Sequence, residues 1–110
     1  MRLARKLRGD GGTVYTAYWC PHCARQKELW GREAWEILHS VECAPGGYRA
    51  QPRMCASNDV NGYPTTILGD GKRLAGERSL SDLAGEVGYQ GFDEELEKNI
   101  PPTLGSSACK

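Results

Sequence analysis

Thr13-Val-Tyr-Thr-Ala-Tyr-Trp-Cys-Pro-His-Cys23 joins a run of β-branched and aromatic residues to a pair of cysteines three apart. The first part, through Tyr18, has the composition of a strand buried in the middle of a sheet. The pattern changes at Cys20-Pro21, because proline suits the first position of a helix, where its missing N–H costs nothing. From there to about Leu38, Leu29, Trp30, Ala34, Ile37 and Leu38 recur at helical spacing among charged residues, and Gly31 marks a kink or a close packing point. Cys20 thus opens a helix, where free N–H groups and the helix dipole favour an anion. A thiol there ionises more readily, and the thiolate is the nucleophilic form. His22 adds a donor and a possible positive charge beside the Cys20 sulfur. Cys23 sits one turn deeper and less exposed. Stabilising the thiolate favours the reduced pair, which makes its disulfide the stronger oxidant.

Two bland readings of the pair stand beside this one, a plain staple and half of a zinc site. A zinc site needs a second close pair, yet Cys43 and Cys55 are separated by eleven residues and His39 has no partner at ligand spacing. The strand-to-helix junction adds weight to redox chemistry.

Outward from this junction, Val41-Glu-Cys43 predicts a short second strand, parallel to the first across a helical crossover. The Gly- and Pro-rich run 44–53 predicts a loop, and Met54 to Asp59 one or two helical turns. Gly62 to Leu68 enters a third strand, Gly69-Asp-Gly71 turns it, and Lys72 to Ala75 returns antiparallel. Ser79, with Asp82 three residues on, caps a helix through Leu80, Leu83 and Val87 that Gly88 stops. Leu3 and Leu7, one turn apart, predict a first helix with one face on the core. The expected fold class is α/β: a β-α-β unit followed by β-β-α, forming a mixed sheet with helices on both faces. The expected domain spans 1–91. Residues 92–110 read as an acidic helix with Asp93, Glu94, Glu95 and Glu97, followed by a frayed tail.

The chain has 110 residues, 14 Lys+Arg against 14 Asp+Glu, 39% hydrophobic residues and five cysteines. That suffices for one core and not two. Balanced charge argues against a broad nucleic-acid surface, and no window reaches the roughly 18 consecutive apolar residues of a membrane helix. A charged fraction of 25% and three tryptophans argue against wholesale disorder. Five cysteines in so short a chain are more than a reducing cytosol usually tolerates without a metal or a redox task. The basic start, Met1 to Arg8, lacks the apolar stretch of a secretory signal, so any address would lie on a part of the precursor outside these residues.

Gly62-Tyr63-Pro64-Thr65 is the second informative motif, although a proline before a strand is often only a strand starter. Together, the strand, Trp-Cys-Pro-His-Cys, the long helix and Gly-Tyr-Pro-Thr resemble the thioredoxin superfamily. The run Ala17 to Trp35, with Val41-Glu-Cys43, Cys55, Val60 to Thr65 and Leu80 to Tyr89, is similar to the thioredoxin-like domain attached to vitamin K epoxide reductase homologues of cyanobacteria and plastids. The resemblance covers about Leu3 to Tyr89. It implies a thioredoxin-like fold and a thiol–disulfide oxidoreductase in which Cys20 and Cys23 exchange electrons, with Pro21 and His22 between them. It implies that Pro64 is cis and packs on the active-site disulfide, that Tyr63 pairs with a client peptide, and that Trp19 completes the client-binding surface. It further implies a structural disulfide between Cys43 and Cys55.

Under the same resemblance, electrons pass from client protein thiols to a quinone-reducing membrane domain, in the thylakoid lumen of plastids or the periplasm or lumen of cyanobacteria. The Cys20–Cys23 disulfide is then the carrier, with no other cofactor and no metal. The chain is expected to be a monomer that binds neither nucleic acid nor the bilayer directly. Two departures stand out. Thioredoxin has a buried Asp six residues before its first active-site cysteine, where this chain has Val14, so another base or water must serve. The membrane reductase domain is absent from these residues. A disulfide isomerase or reductase, a non-catalytic binding module and a zinc module remain as alternatives. Cys109 is left over, best read as an idle thiol.

Overall fold

The computed structural model describes residues 2–89. At its centre lies β1 (Thr13–Thr16), whose successive side chains face opposite sides of the sheet. Val14 joins one core with Leu3, Leu7, Trp30, Leu38, Leu74, Leu80 and Leu83, while Tyr15 joins another with Val41, Cys43, Cys55 and Val60. Alternation along this one strand therefore builds two layers.

The remaining elements are α1 (Arg2–Gly9), α2 (Pro21–Trp30), α3 (Arg32–Ile37), β2 (Ser40–Glu42), α4 (Pro52–Ser57), β3 (Thr65–Ile67), β4 (Arg73–Ala75) and α5 (Leu80–Glu86). Strand order is β2-β1-β3-β4, with β1 parallel to β2 and antiparallel to β3, and β3 antiparallel to β4. This is the expected mixed sheet flanked by helices, an α/β arrangement compatible with a thioredoxin-like fold. The α1, α2, α3 and α5 side chains fill the Val14 layer, and α4 supplies Cys55 to the Tyr15 layer.

The expected long helix after Cys20 is two helices. Gly31 ends α2 and begins α3 at φ 85°, a left-handed conformation that glycine reaches without a Cβ penalty. Trp30 on one side of the break and Ala34 on the other both stay in the core. The cap expected at Ser79 is present, with Ser79 Oγ accepting from the Asp82 amide at 3.0 Å. Gly69 lies so close to the α1–β1 turn that a Cβ there would sit 1.7 Å from the Asp10 carbonyl oxygen.

One buried polar side chain positions the site. Gln26 on α2 is 2% exposed. Its Nε2 donates to the Arg78 carbonyl at 3.0 Å, and its Oε1 accepts from the Arg78 amide at 2.7 Å. Both backbone groups of Arg78 are thereby satisfied, and the loop between β4 and α5 is held against the helix that Cys20 opens. The boundary at residue 91, the acidic helix, the tail and Cys109 lie outside the described residues. Among the described residues no helix is long and apolar enough to cross a membrane.

Candidate active site

Cys20 is the N-cap of α2, in extended conformation (φ −90°, ψ 117°), and Pro21 takes the first helical turn. The Cys20 carbonyl receives the amides of Cys23 at 3.1 Å and Ala24 at 3.2 Å, so the two cysteines occupy one helical turn. With Ala17, Ala44 and Tyr63 they form a small cluster at the end of the sheet.

Exposure differs from the expectation. Cys20 is 2% exposed and Cys23 6%, so the first cysteine is as covered as the second. Cys20 Sγ packs 3.5 Å from the Tyr63 carbonyl oxygen, and Cys20 is itself disulfide-bonded. Cys23 is a free, buried thiol, so this structure holds the pair without a bond between its two sulfurs.

The Tyr63–Pro64 peptide is cis, and Pro64 is fully buried. The β3 entry thus runs beside Cys20, with Thr65 Oγ1 donating to the Gly62 carbonyl at 2.6 Å. Trp19 is 51% exposed and meets the Tyr63 ring edge to face, with centroids 6.0 Å apart. Trp19, Cys20, Tyr63 and Pro64 therefore come together at one end of the sheet. Cys43 and Cys55 are joined by a disulfide with a Cα–Cα distance of 5.8 Å.

His22 does something the sequence pattern did not reveal. Its Nδ1 lies 2.6 Å from Glu77 Oε1, and Arg25 Nε donates to the same oxygen at 2.9 Å. Glu77 is only 4% exposed, so a buried carboxylate is held between the His22 ring and the Arg25 guanidinium, the kind of partnering that burial of a polar group requires. Sequence reasoning missed Glu77 because it lies 55 residues from His22 in a loop without a motif. The Gln26–Arg78 clamp puts it there, and that pairing too has no signature in sequence. Arg25, one of the charged residues of α2, is exposed and bound to Glu77.

Burial is the main cause that pushes the Cys23 thiol up to about 11. A hydrogen bond from the Ala17 backbone works against it, and the charges of Glu42 and Glu77 add to it. At pH 7 only about one such thiol in 10⁴ is ionised. Iodoacetamide labelling of Cys23, followed by mass spectrometry, is therefore expected to rise about tenfold per pH unit from 7 to 10. The sign for stability follows from the same shift. The folded thiol keeps its proton above the ordinary value of 9.0, so its contribution is complete below about pH 9 and is lost as pH climbs towards 11.

Behind Cys23 a cleft of about 670 Å³ is lined by Thr16, Tyr18, Lys27, His39, Glu42 and Tyr48 among others. Glu42 Oε2 accepts from the Ala44 amide at 2.9 Å and the Tyr18 amide at 3.2 Å, tying the end of β2 to the segment before Cys20. Among the described residues no three His, Cys, Asp or Glu side chains gather as a metal site.

No family model matches the chain. Over 100 residues, 88% of its length, it is 42% identical to the thiol-disulfide oxidoreductase LTO1 of Arabidopsis thaliana, and the matched region spans 26% of that protein.

Proposed function

We propose that this chain is a thiol–disulfide oxidoreductase whose working groups are Cys20 and Cys23. The observation that carries the reading is a cysteine pair on the first turn of α2, packed beside Tyr63 and Pro64. The 42% identity to a protein named for this activity supports it.

In the oxidising direction a client thiolate attacks Cys20 Sγ of a Cys20–Cys23 disulfide. The Cys20–Cys23 bond breaks, a client–Cys20 bond forms, and Cys23 leaves with the electron pair and takes a proton. The client's second thiolate then attacks its own sulfur in the mixed disulfide and releases Cys20 as thiolate. The client is oxidised by two electrons and the pair is reduced. Trp19 and Tyr63 flank the approach, and Tyr63, whose backbone has β-bridge pairing, suits strand-like pairing with a client segment. The finer reading is that the reduced pair passes its electrons to a quinone-linked reductase domain of the vitamin K epoxide reductase type. The compartment would be oxidising, a thylakoid lumen or a cyanobacterial periplasm or lumen.

Cys23→Ser tests this reading. Without the resolving thiol, the mixed disulfide between Cys20 and a client is expected to persist, visible as a reducible adduct on non-reducing gels. The client supplied is disulfide-bonded, so that Cys20 attacks its S–S bond and one client thiolate leaves; no adduct with any such client would contradict the proposal. A second reading, a non-catalytic binding module, draws on the burial of Cys20, 2% exposed. Failure of the reduced protein to react with a small alkylating agent at Cys20 would favour it. An isomerase or reductase differs only in redox poise, which equilibration with glutathione measures.

A further inference from the structure

Exchange at Cys23 moves a proton as well as an electron pair, and a buried thiol gives up its proton reluctantly. Val14 contributes no base from the strand beneath the site. The titratable and charged groups that act on Cys23 or share its cleft come from several elements. They are Glu42 at the end of β2, Glu77 before α5, Lys27 on α2, Tyr18 after β1, His39 before β2, and Tyr48 and Arg49 in the loop to α4.

Most of these are poorly suited to accept the proton. Glu77 Oε1 is committed to His22 and Arg25. Lys27 and Arg49 bear side chains that serve as hydrogen-bond donors rather than acceptors. The His39 ring faces Thr13 Oγ1 at 3.1 Å. Glu42 differs from all of them. Two backbone amides fix its Oε2, and the neighbouring loop leaves room for the rest of the group. A Cβ added at Gly47 would stand 2.5 Å from Glu42 Cγ and 3.0 Å from Oε1. The carboxylate is anchored at one oxygen, walled on one side by a glycine, and opens on the cleft that also reaches Cys23.

We propose that Glu42 carries the proton to and from Cys23 through the cleft the two residues share, an inference that rests on the exchange reaction proposed above. In the reducing direction the starting species is a mixed disulfide between Cys20 and a client. The Cys23 thiol gives its proton to the Glu42 carboxylate, directly or through one water. Cys23 thiolate attacks Cys20 Sγ, the Cys20–Cys23 bond forms, and the client leaves as thiolate with the electron pair of the broken bond. Glu42 then releases its proton to water in the cleft. In the oxidising direction the same path returns a proton to Cys23 as it leaves.

The test uses the full chain carrying Cys109→Ser, reduced at the Cys20–Cys23 pair, and the aromatic disulfide DTNB as probe. Attack by Cys20 releases one thionitrobenzoate, and closure by Cys23 releases a second, so the two steps are read separately at one wavelength. Glu42→Gln is expected to leave the first release in place and slow the second at least about tenfold near pH 7. The gap narrows as pH rises towards about 11, where Cys23 ionises without help. Glu42→Asp recovers part of the rate. Gly47→Ala, which crowds the carboxylate without removing it, slows the second release as well. A second release in Glu42→Gln equal to that of the parent would overturn the assignment to Glu42. So would a slowing by the same factor at every pH, since that is the mark of altered packing. Failure of the parent to give the first release would instead sink the exchange reaction itself.

Discussion

Cys20→Ser is expected to reduce thiol–disulfide exchange to the uncatalysed background, a loss of at least ~10²-fold, because a hydroxyl neither ionises at neutral pH nor holds a mixed disulfide. The assay is oxidation of a dithiol peptide, or reduction of insulin, with the variant beside the parent chain. Folding is not expected to suffer, since serine keeps the N-cap position of α2 and is a good capping residue there. Far-ultraviolet circular dichroism checks that point. Unchanged exchange in a folded Cys20→Ser protein would remove the sulfur from the mechanism.

The second large effect concerns stability. Cys43 and Cys55 close a loop of sequence separation 12, which stabilises by about 3 kcal/mol in the chain-entropy model. In a domain of this size, each kcal/mol is worth roughly 4–8 °C in Tm. The double variant Cys43→Ala with Cys55→Ala is therefore expected to melt about 12–24 °C lower. Alanine avoids placing a hydroxyl among Tyr15, Val41 and Val60, which pack around both sulfurs. Exchange at Cys20 and Cys23, measured well below the new melting point, is expected to persist if the bridge is a staple. A collapse of exchange in a still-folded double variant would instead make the pair a relay.

The fold was legible because its signals are local. Leu3 and Leu7 announce α1, the β-branched run announces β1, and Gly69-Asp-Gly71 announces the β3–β4 turn. The division at Gly31 was visible only as a glycine in a helical pattern. Whether that means a kink or two helices depends on the backbone angle it adopts, and sequence does not contain that angle. The placement of the cysteine pair on the first turn of α2 was legible for the same local reason, since Pro21 marks the strand–helix junction.

What escaped the sequence was long-range and polar. Glu77 reaches His22 across 55 residues, Gln26 reaches Arg78 across 52, and Glu42 meets the Tyr18 amide across 24. Each pairing joins segments that only the folded chain brings together, and charged or amide side chains look alike in a sequence whether solvated or buried. The burial of Cys20 belongs to the same class. Tyr63, 43 residues further along the chain, is one of the groups packed against it.

The proposed activity requires Cys20 and Cys23 to interconvert between dithiol and internal disulfide. The most direct measurement is equilibration of the Cys109→Ser chain in glutathione buffers of stepped poise, with acid quenching, alkylation and peptide mapping by mass spectrometry. A Cys20–Cys23 linked peptide is expected to appear and disappear as one two-electron step, while the Cys43–Cys55 link stays closed across the same range. Absence of a Cys20–Cys23 link at every poise, with both thiols open to alkylation, would contradict it.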